Sequence, residues 1–285
     1  MSTTMTPPPA APERLADAPT PPAGGSRVVA IVIIVLGAVV LLGAMTSAVV
    51  GTIASASVHT STRSLDVAGV GELDIDAAAG TLRVEFTDVP EAQLEVTSSW
   101  GAENWRFERD GDTLEVASPD RFGWFGWRGW FGDGGADAVL LLPASLEGLD
   151  ADVSLAAGEF VTDGDFGELD LSLAAGSFDV SGSAESLSAD VSAGRGTLEL
   201  DGVAEAELTV SAGSLDAVLT GTRPDLIEAD VSAGTLRMTV PEGDYDVTSD
   251  VSAGEFENEI GSTPGASSVV RVQVSAGQAV LKAGR

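Results

Sequence analysis

Three pairs of closely spaced carboxylates could do chemistry: Asp163 and Asp165 in DGDF, Asp133 and Asp137 in GDGGAD, and Asp110 and Asp112 around a glycine. Two carboxyl groups held roughly 5–10 Å apart across a sugar can act as acid and base, or as acid and nucleophile, in glycoside hydrolysis. The chain has 44 acidic residues among 285, so close pairs arise from composition alone. A working cleft also needs basic and aromatic side chains beside the acids. Arginine is sparse beside the repeats: Arg195, Arg223, Arg237 and Arg271 fall at different offsets within the repeated pattern and so do not build one cleft. No catalytic residue is expected, and the chain reads as a non-enzyme; the alternative is a carbohydrate-active β-helix enzyme.

The remaining chemistry is narrower still. The chain has no Cys, which removes thiolate metal sites and disulfides, and its single His59 cannot form a histidine cluster. Neither an EF-hand loop nor a GGxGxDxUx repeat is present. No metal site and no cofactor are expected. The net charge of −30 argues against nucleic acid, whose binding depends on Lys and Arg neutralising phosphates.

Behind these residues stands an internal repeat: VSLAAGEF, LSLAAGSF, DVSAGRGTL, TVSAGSL, DVSAGTL, DVSAGEF and QVSAGQA. Its glycines are Gly158, Gly176, Gly194, Gly213, Gly234, Gly254 and Gly277, and IDAAAGTL places Gly80 in the same role. Steps of 18, 18, 19, 21, 20 and 23 residues separate the first seven. Three before each glycine the residue is aliphatic; five before, mostly apolar; those between are polar. This period-two alternation specifies a half-buried strand. After the glycine the alternation slips by one, which predicts a corner or bulge with glycine at positive φ. Strand, glycine corner, strand and polar loop, recurring about every 20 residues, predict an all-β fold of β-solenoid or β-helix type over residues 144–285. If turns stack in chain order, Asp230 and Asp250 lie one above the other about 4.8 Å apart and repel by roughly 0.9 kcal/mol even in water. Added salt should then stabilise the protein modestly.

Residues 65–143 form a different β region. TLRVEFT, AQLEVTSSW and WRFERDGDTLEVA read as strands, with Asp110-Gly111 as a hairpin turn, and ADAVLLLP leads into the repeats. The region is expected to supply the first turns or a cap of one continuous β domain. It contains RFGWFGWRGWFGDGG, residues 121–135, which hold Phe122, Trp124, Phe125, Trp127, Trp130 and Phe131, six of only 15 aromatic residues in the chain. The loop is either a lid over an open sheet edge or solenoid end, or an exposed interaction loop for a membrane interface or a partner.

Upstream lie three further zones. Residues 1–27 hold seven of 13 prolines and read as a disordered tail. Residues 28–54 carry no charge and are long enough for a transmembrane helix. Gly43, Ser47 and Gly51 along it could support a helix-mediated homodimer. Residues 55–64, SASVHTSTRS, read as a polar stalk. Arg14 and Arg27 precede the run, which puts the tail in the cytoplasm and the C-terminal domain outside the cell membrane.

An N-terminal strand region, a strand ending in LLLP, and turns of VSAG or AAG followed by an apolar residue together resemble the bacterial putative-adhesin family, a β-strand-repeat domain of unknown function. The resemblance covers roughly residues 65–282. It implies a β-solenoid at the cell envelope, often membrane-tethered and associated with envelope-stress or adhesion contexts, and it supplies no catalytic residues. The sequence thus predicts a single-pass, membrane-anchored envelope protein. Its acidic ectodomain would be a scaffold, adhesion or interaction module for an envelope protein or surface ligand, with envelope-stress sensing as one setting for it. A cytoplasm-facing solenoid scaffold is the other non-enzymatic alternative.

Overall fold

A computed structural model of the chain describes residues 59–98, 102–119 and 136–284. The expected tail, the uncharged run 28–54 and the aromatic loop 121–135 lie outside the described residues. Among the described residues no helix is long and apolar enough to cross a membrane.

The fold is all-β. Its strands are β1 (His59–Leu65), β2 (Glu72–Ala77), β3 (Gly80–Thr87), β4 (Ala92–Ser98), β5 (Arg106–Asp110), β6 (Thr113–Ala117), β7 (Ala136–Pro143), β8 (Leu149–Leu155), β9 (Gly158–Asp201), β10 (Glu205–Val210) and β11 (Ser214–Thr220). They continue with β12 (Leu226–Val231), β13 (Thr235–Val240), β14 (Tyr245–Val251), β15 (Glu255–Asn258), β16 (Ser268–Val274) and β17 (Gln278–Ala283). All belong to one sheet that folds back on itself almost to a closed barrel.

The pairings resolve into two ladders. One runs β5, β6, β2, β8, β9, β10, β12, β16, β14; the other runs β1, β4, β7, β3, β9, β11, β13, β17, β15, with the long β9 contributing to both. Apart from β5 on β6, and β1 and β4 beside β7, every pairing is parallel. A strand of the first ladder, a corner and a strand of the second make one turn. The apolar member of each alternation points between the ladders: Leu73, Ile75, Val153, Leu171, Leu208, Ile227 and Val272 from one, and Leu82, Val84, Phe160, Leu198, Leu215 and Leu236 from the other.

The corner glycines form a column. A Cβ on Gly158 would meet the carbonyl oxygen of Gly80, and the same relation links Gly176 to Gly158, Gly194 to Gly176, Gly213 to Gly194, Gly234 to Gly213, Gly277 to Gly234 and Gly254 to Gly277. The expectation of positive φ holds at Gly80, Gly158 and Gly176. It does not hold at Gly194, Gly213, Gly234, Gly254 or Gly277, where close backbone approach is the requirement: at Gly213 the added Cβ would lie 2.5 Å from the Gly194 oxygen. Gly80 rests in turn on the backbone of Ala136, the first residue of β7. β6 and β7 are therefore a turn of the same coil, and alanine is admissible at its corner because no further corner stacks beyond it.

Chain order and spatial order part at both ends. β2 lies between β6 and β8, so the first turn laid down is covered by the turn that follows it in sequence. At the other end β12 pairs with β16 and β16 with β14, so the last turn, β16–β17, sits inside and β14–β15 is outermost. Hydrophobic pattern explains the exchange. The inward positions of β16 are Val270, Val272 and Val274, all buried, whereas β14 offers Ser249, which belongs at an end.

The two ends differ in finish. At the first, β1 and β5 are the outer strands, and Arg63 on β1 donates through Nη1 to the Trp105 carbonyl (2.9 Å) and through Nη2 to the Glu103 carbonyl, tying the edges over the buried Trp105. The last residues of the expected stalk, His59–Ser64, are thus not a stalk but part of β1, paired antiparallel with β4. At the other end, among the described residues, β14 and β15 each pair with a strand on one side only, with β16 and β17.

Candidate functional site

The outward faces of the ladders carry the polar residues, and stacking sorts them into columns. On the first ladder Glu115, Asp74, Asp152 and Asp170 are successive neighbours, and Glu72 and Asp150 pair alongside. Burial first, then the charges of Asp74, Asp170 and Glu72, push the Asp152 carboxyl above its ordinary value. Relief is partial: Asp150 Oδ1 accepts from the Glu168 amide (2.8 Å), and Thr113 donates to Glu72 (2.9 Å).

Further along the same face lies a shallow groove of about 480 Å³ lined by Glu207, Glu228, Asp230, Asp250, Arg271 and Gln273 among others. An Arg271–Glu228 ion pair (2.6 Å) crosses it. Here the sequence expectation fails. Asp230 and Asp250 are not stacked on each other, because the exchanged order of the last turns sets Gln273 between them. Gln273 relieves the repulsion that adjacent aspartates would suffer. The same exchange places Arg271 beside Glu228 and puts Lys282 3.3 Å from Glu259.

The described members of the three carboxylate pairs lie at different places on the coil and are not gathered into one cleft. Asp163 stands opposite Glu85 on the second ladder, and Asp165 accepts from Ser183 (2.7 Å). Asp137 is on β7 opposite Thr81, and Asp133 lies outside the described residues. Asp110 and Asp112 flank the β5–β6 turn, where the Asp112 carbonyl accepts from the Gly71 amide (2.9 Å). The arginines are equally dispersed: Arg195 opposite Ser214, Arg223 donating to the Asp244 carbonyl (2.9 Å), Arg237 3.4 Å from Asp216, and Arg271 on Glu228. Among the described residues no group of His, Cys, Asp and Glu is arranged to hold a metal ion.

The acidic column was missed at the level of sequence. Its signal is present: Asp74, Asp152 and Asp170 each stand six residues before their corner glycine. Glu115 carries no such mark, because the corner after β6 is occupied by residues 118–135. In chain order the aromatic loop falls between β6 and β7, the two strands of one turn. Both of its flanking strands are already paired on both sides, β6 with β2 and β5, and β7 with β3 and β4.

No protein-family model matches the chain. No curated protein matches it either. Among solved structures, the chain is similar to a putative adhesin from Bacteroides fragilis at 15% identity, covering 79% of this chain and 97% of that one with a TM-score of 0.44. A putative adhesin from Parabacteroides distasonis matches at 13% identity over 78% of this chain and 97% of its own, with a TM-score of 0.42. A putative lipid binding protein from the same species matches at 14% identity over 80% and 97%, with a TM-score of 0.40.

Proposed function

We propose that the chain is a single-pass, membrane-anchored envelope protein whose acidic β-solenoid is a non-enzymatic scaffold or interaction module on the outer side of the cell membrane, of the putative-adhesin kind. The anchor is the uncharged run 28–54, with its basic flank on the N-terminal side. The observation that carries the module reading is the coil itself. Its outward residues are sorted into stacked polar columns, one of them an unbroken run of acids, and its arginines are spent one by one on separate acids and carbonyls, as a recognition surface requires and a cleft does not.

Within that reading, residues 121–135 are the contact loop. A lid is not needed at their own strands, since β6 and β7 have partners on both sides and the coil end beyond them is tied over Trp105 by Arg63. Glycines joint Trp124, Trp127 and Trp130 so that all three can meet a membrane interface or an apolar partner surface. Replacing the three with Ser should leave the melting temperature within about 2 °C while binding to membranes or to a crosslinked partner falls; a large loss of stability with binding intact would return the loop to the lid role. Protease added to intact cells should remove the domain. Its survival there, with digestion after permeabilisation, would place it on the inner face.

A further inference from the structure

At the first end of the coil Arg63 ties the outer strands over Trp105; the other end has the chemistry of a strand acceptor. β14 uses one edge on β16. Along its other edge the first half is taken by the chain itself: the Thr263 amide donates to the Tyr245 carbonyl (2.7 Å), the Val247 amide donates to Ser262 Oγ (3.0 Å), and Ser262 Oγ donates to the Val247 carbonyl (3.2 Å). In a parallel ladder alternate residues turn their N–H and C=O to the same side. Beyond Val247 the same edge is therefore continued by Ser249 and Val251. Residues 262 and 263 imitate a pairing strand and then stop.

The side chains around this edge are graded. Toward the coil interior stand Val247, Phe256 and Ile260, half-buried, and Val251, which at 40% is the one large hydrophobic side chain exposed among the described residues. On the outward side of β14 stands Asp250, exposed, and the outward residues of β15 on the other ladder, Glu255 and Glu257, are exposed acids as well. A strand added here would set alternate side chains over the apolar floor and the others beside carboxylates. The chain already shows what fits. On the paired edge of β14 lies β16, SVVRVQV, with Val270 and Val272 inward and Arg271 outward. A second copy of this end would instead bring like charge against like charge, as acids on sheet edges do when they deter edge-to-edge association.

We propose that the β14–β15 end accepts an extended segment of a partner protein in which apolar and basic residues alternate, by strand addition. The test uses the full chain in mild detergent and a labelled synthetic peptide with the sequence of β16, beside a peptide identical except for Asp in place of its arginine. The first peptide should bind saturably. Its affinity should fall roughly three-fold with Asp250→Asn, an exposed substitution on β14 that removes only charge. Raising the salt should weaken it likewise. The Asp-bearing peptide should bind far less. Absence of saturable binding, equal binding of both peptides, or indifference to Asp250→Asn would overturn the proposal. So would self-association of the full chain in sedimentation that the same substitution alters, which would make this end a contact between copies.

Discussion

At the scale of single residues, glycine is required for different reasons at a corner and in a hairpin turn. Gly176 has φ of +117° and a neighbouring carbonyl where its Cβ would be, while Gly111, in the β5–β6 turn, has φ of +67° and open space around it. Gly176→Ala should cost roughly 2–4 kcal/mol, the sum of backbone strain and displaced turns, and Gly111→Ala about 1 kcal/mol, both read by denaturant unfolding. Asp152 supplies the pH prediction. Its folded-state pKa is raised, so the folded protein holds a proton more tightly than the unfolded chain, and stability falls as pH rises through the folded value. Asp152→Asn should raise the melting temperature at pH 7, and the gain should vanish as pH is lowered into the ordinary carboxylate range.

At the scale of elements, charge columns and the order of turns are coupled. The salt sensitivity expected from Asp230 and Asp250 belongs instead to Glu115, Asp74, Asp152 and Asp170, which are true neighbours. Gln273→Asp would create the acidic run that the exchange of turns avoids, Asp230 and Asp250 flanking a third carboxylate. At about 4.8 Å spacing each new contact costs roughly 0.9 kcal/mol at the dielectric of water. The variant should melt lower at low ionic strength and recover much of the difference in salt; identical melting at both would show that the column is relaxed some other way. The pattern of alternation, the corner glycines and the β5–β6 hairpin were all legible beforehand, because each follows from residues close in sequence. The acidic column was legible only in part, since Glu115 joins it across an insertion.

At the scale of the whole molecule, both terminal turns of the chain are interior turns of the coil. Each is clamped by its neighbour in sequence, which protects the ends from fraying one repeat at a time. A chain ending at residue 267 therefore loses an internal turn: β12 and β13 lose β16 and β17, and β14 and β15 lose their partners altogether. Proteolysis of that truncated chain should cut through 241–267 as well as expose the β12–β13 turn. A coil stacked in chain order would lose only its last repeat and keep 245–258 protected.

The sequence by itself determined the all-β class, the strand alternation, the position of every corner in the repeats and the sign of the surface charge, because period, glycine spacing and composition are local properties. Tertiary structure decided which turn lies beside which. That choice rests on which turns can bury valines and which must leave Ser249 at an end, and on which long-range neighbours separate like charges. It moved Gln273 between two aspartates, turned β6 and β7 into a turn of the coil and, among the described residues, left β14 with an edge that residues 262 and 263 cover only in part.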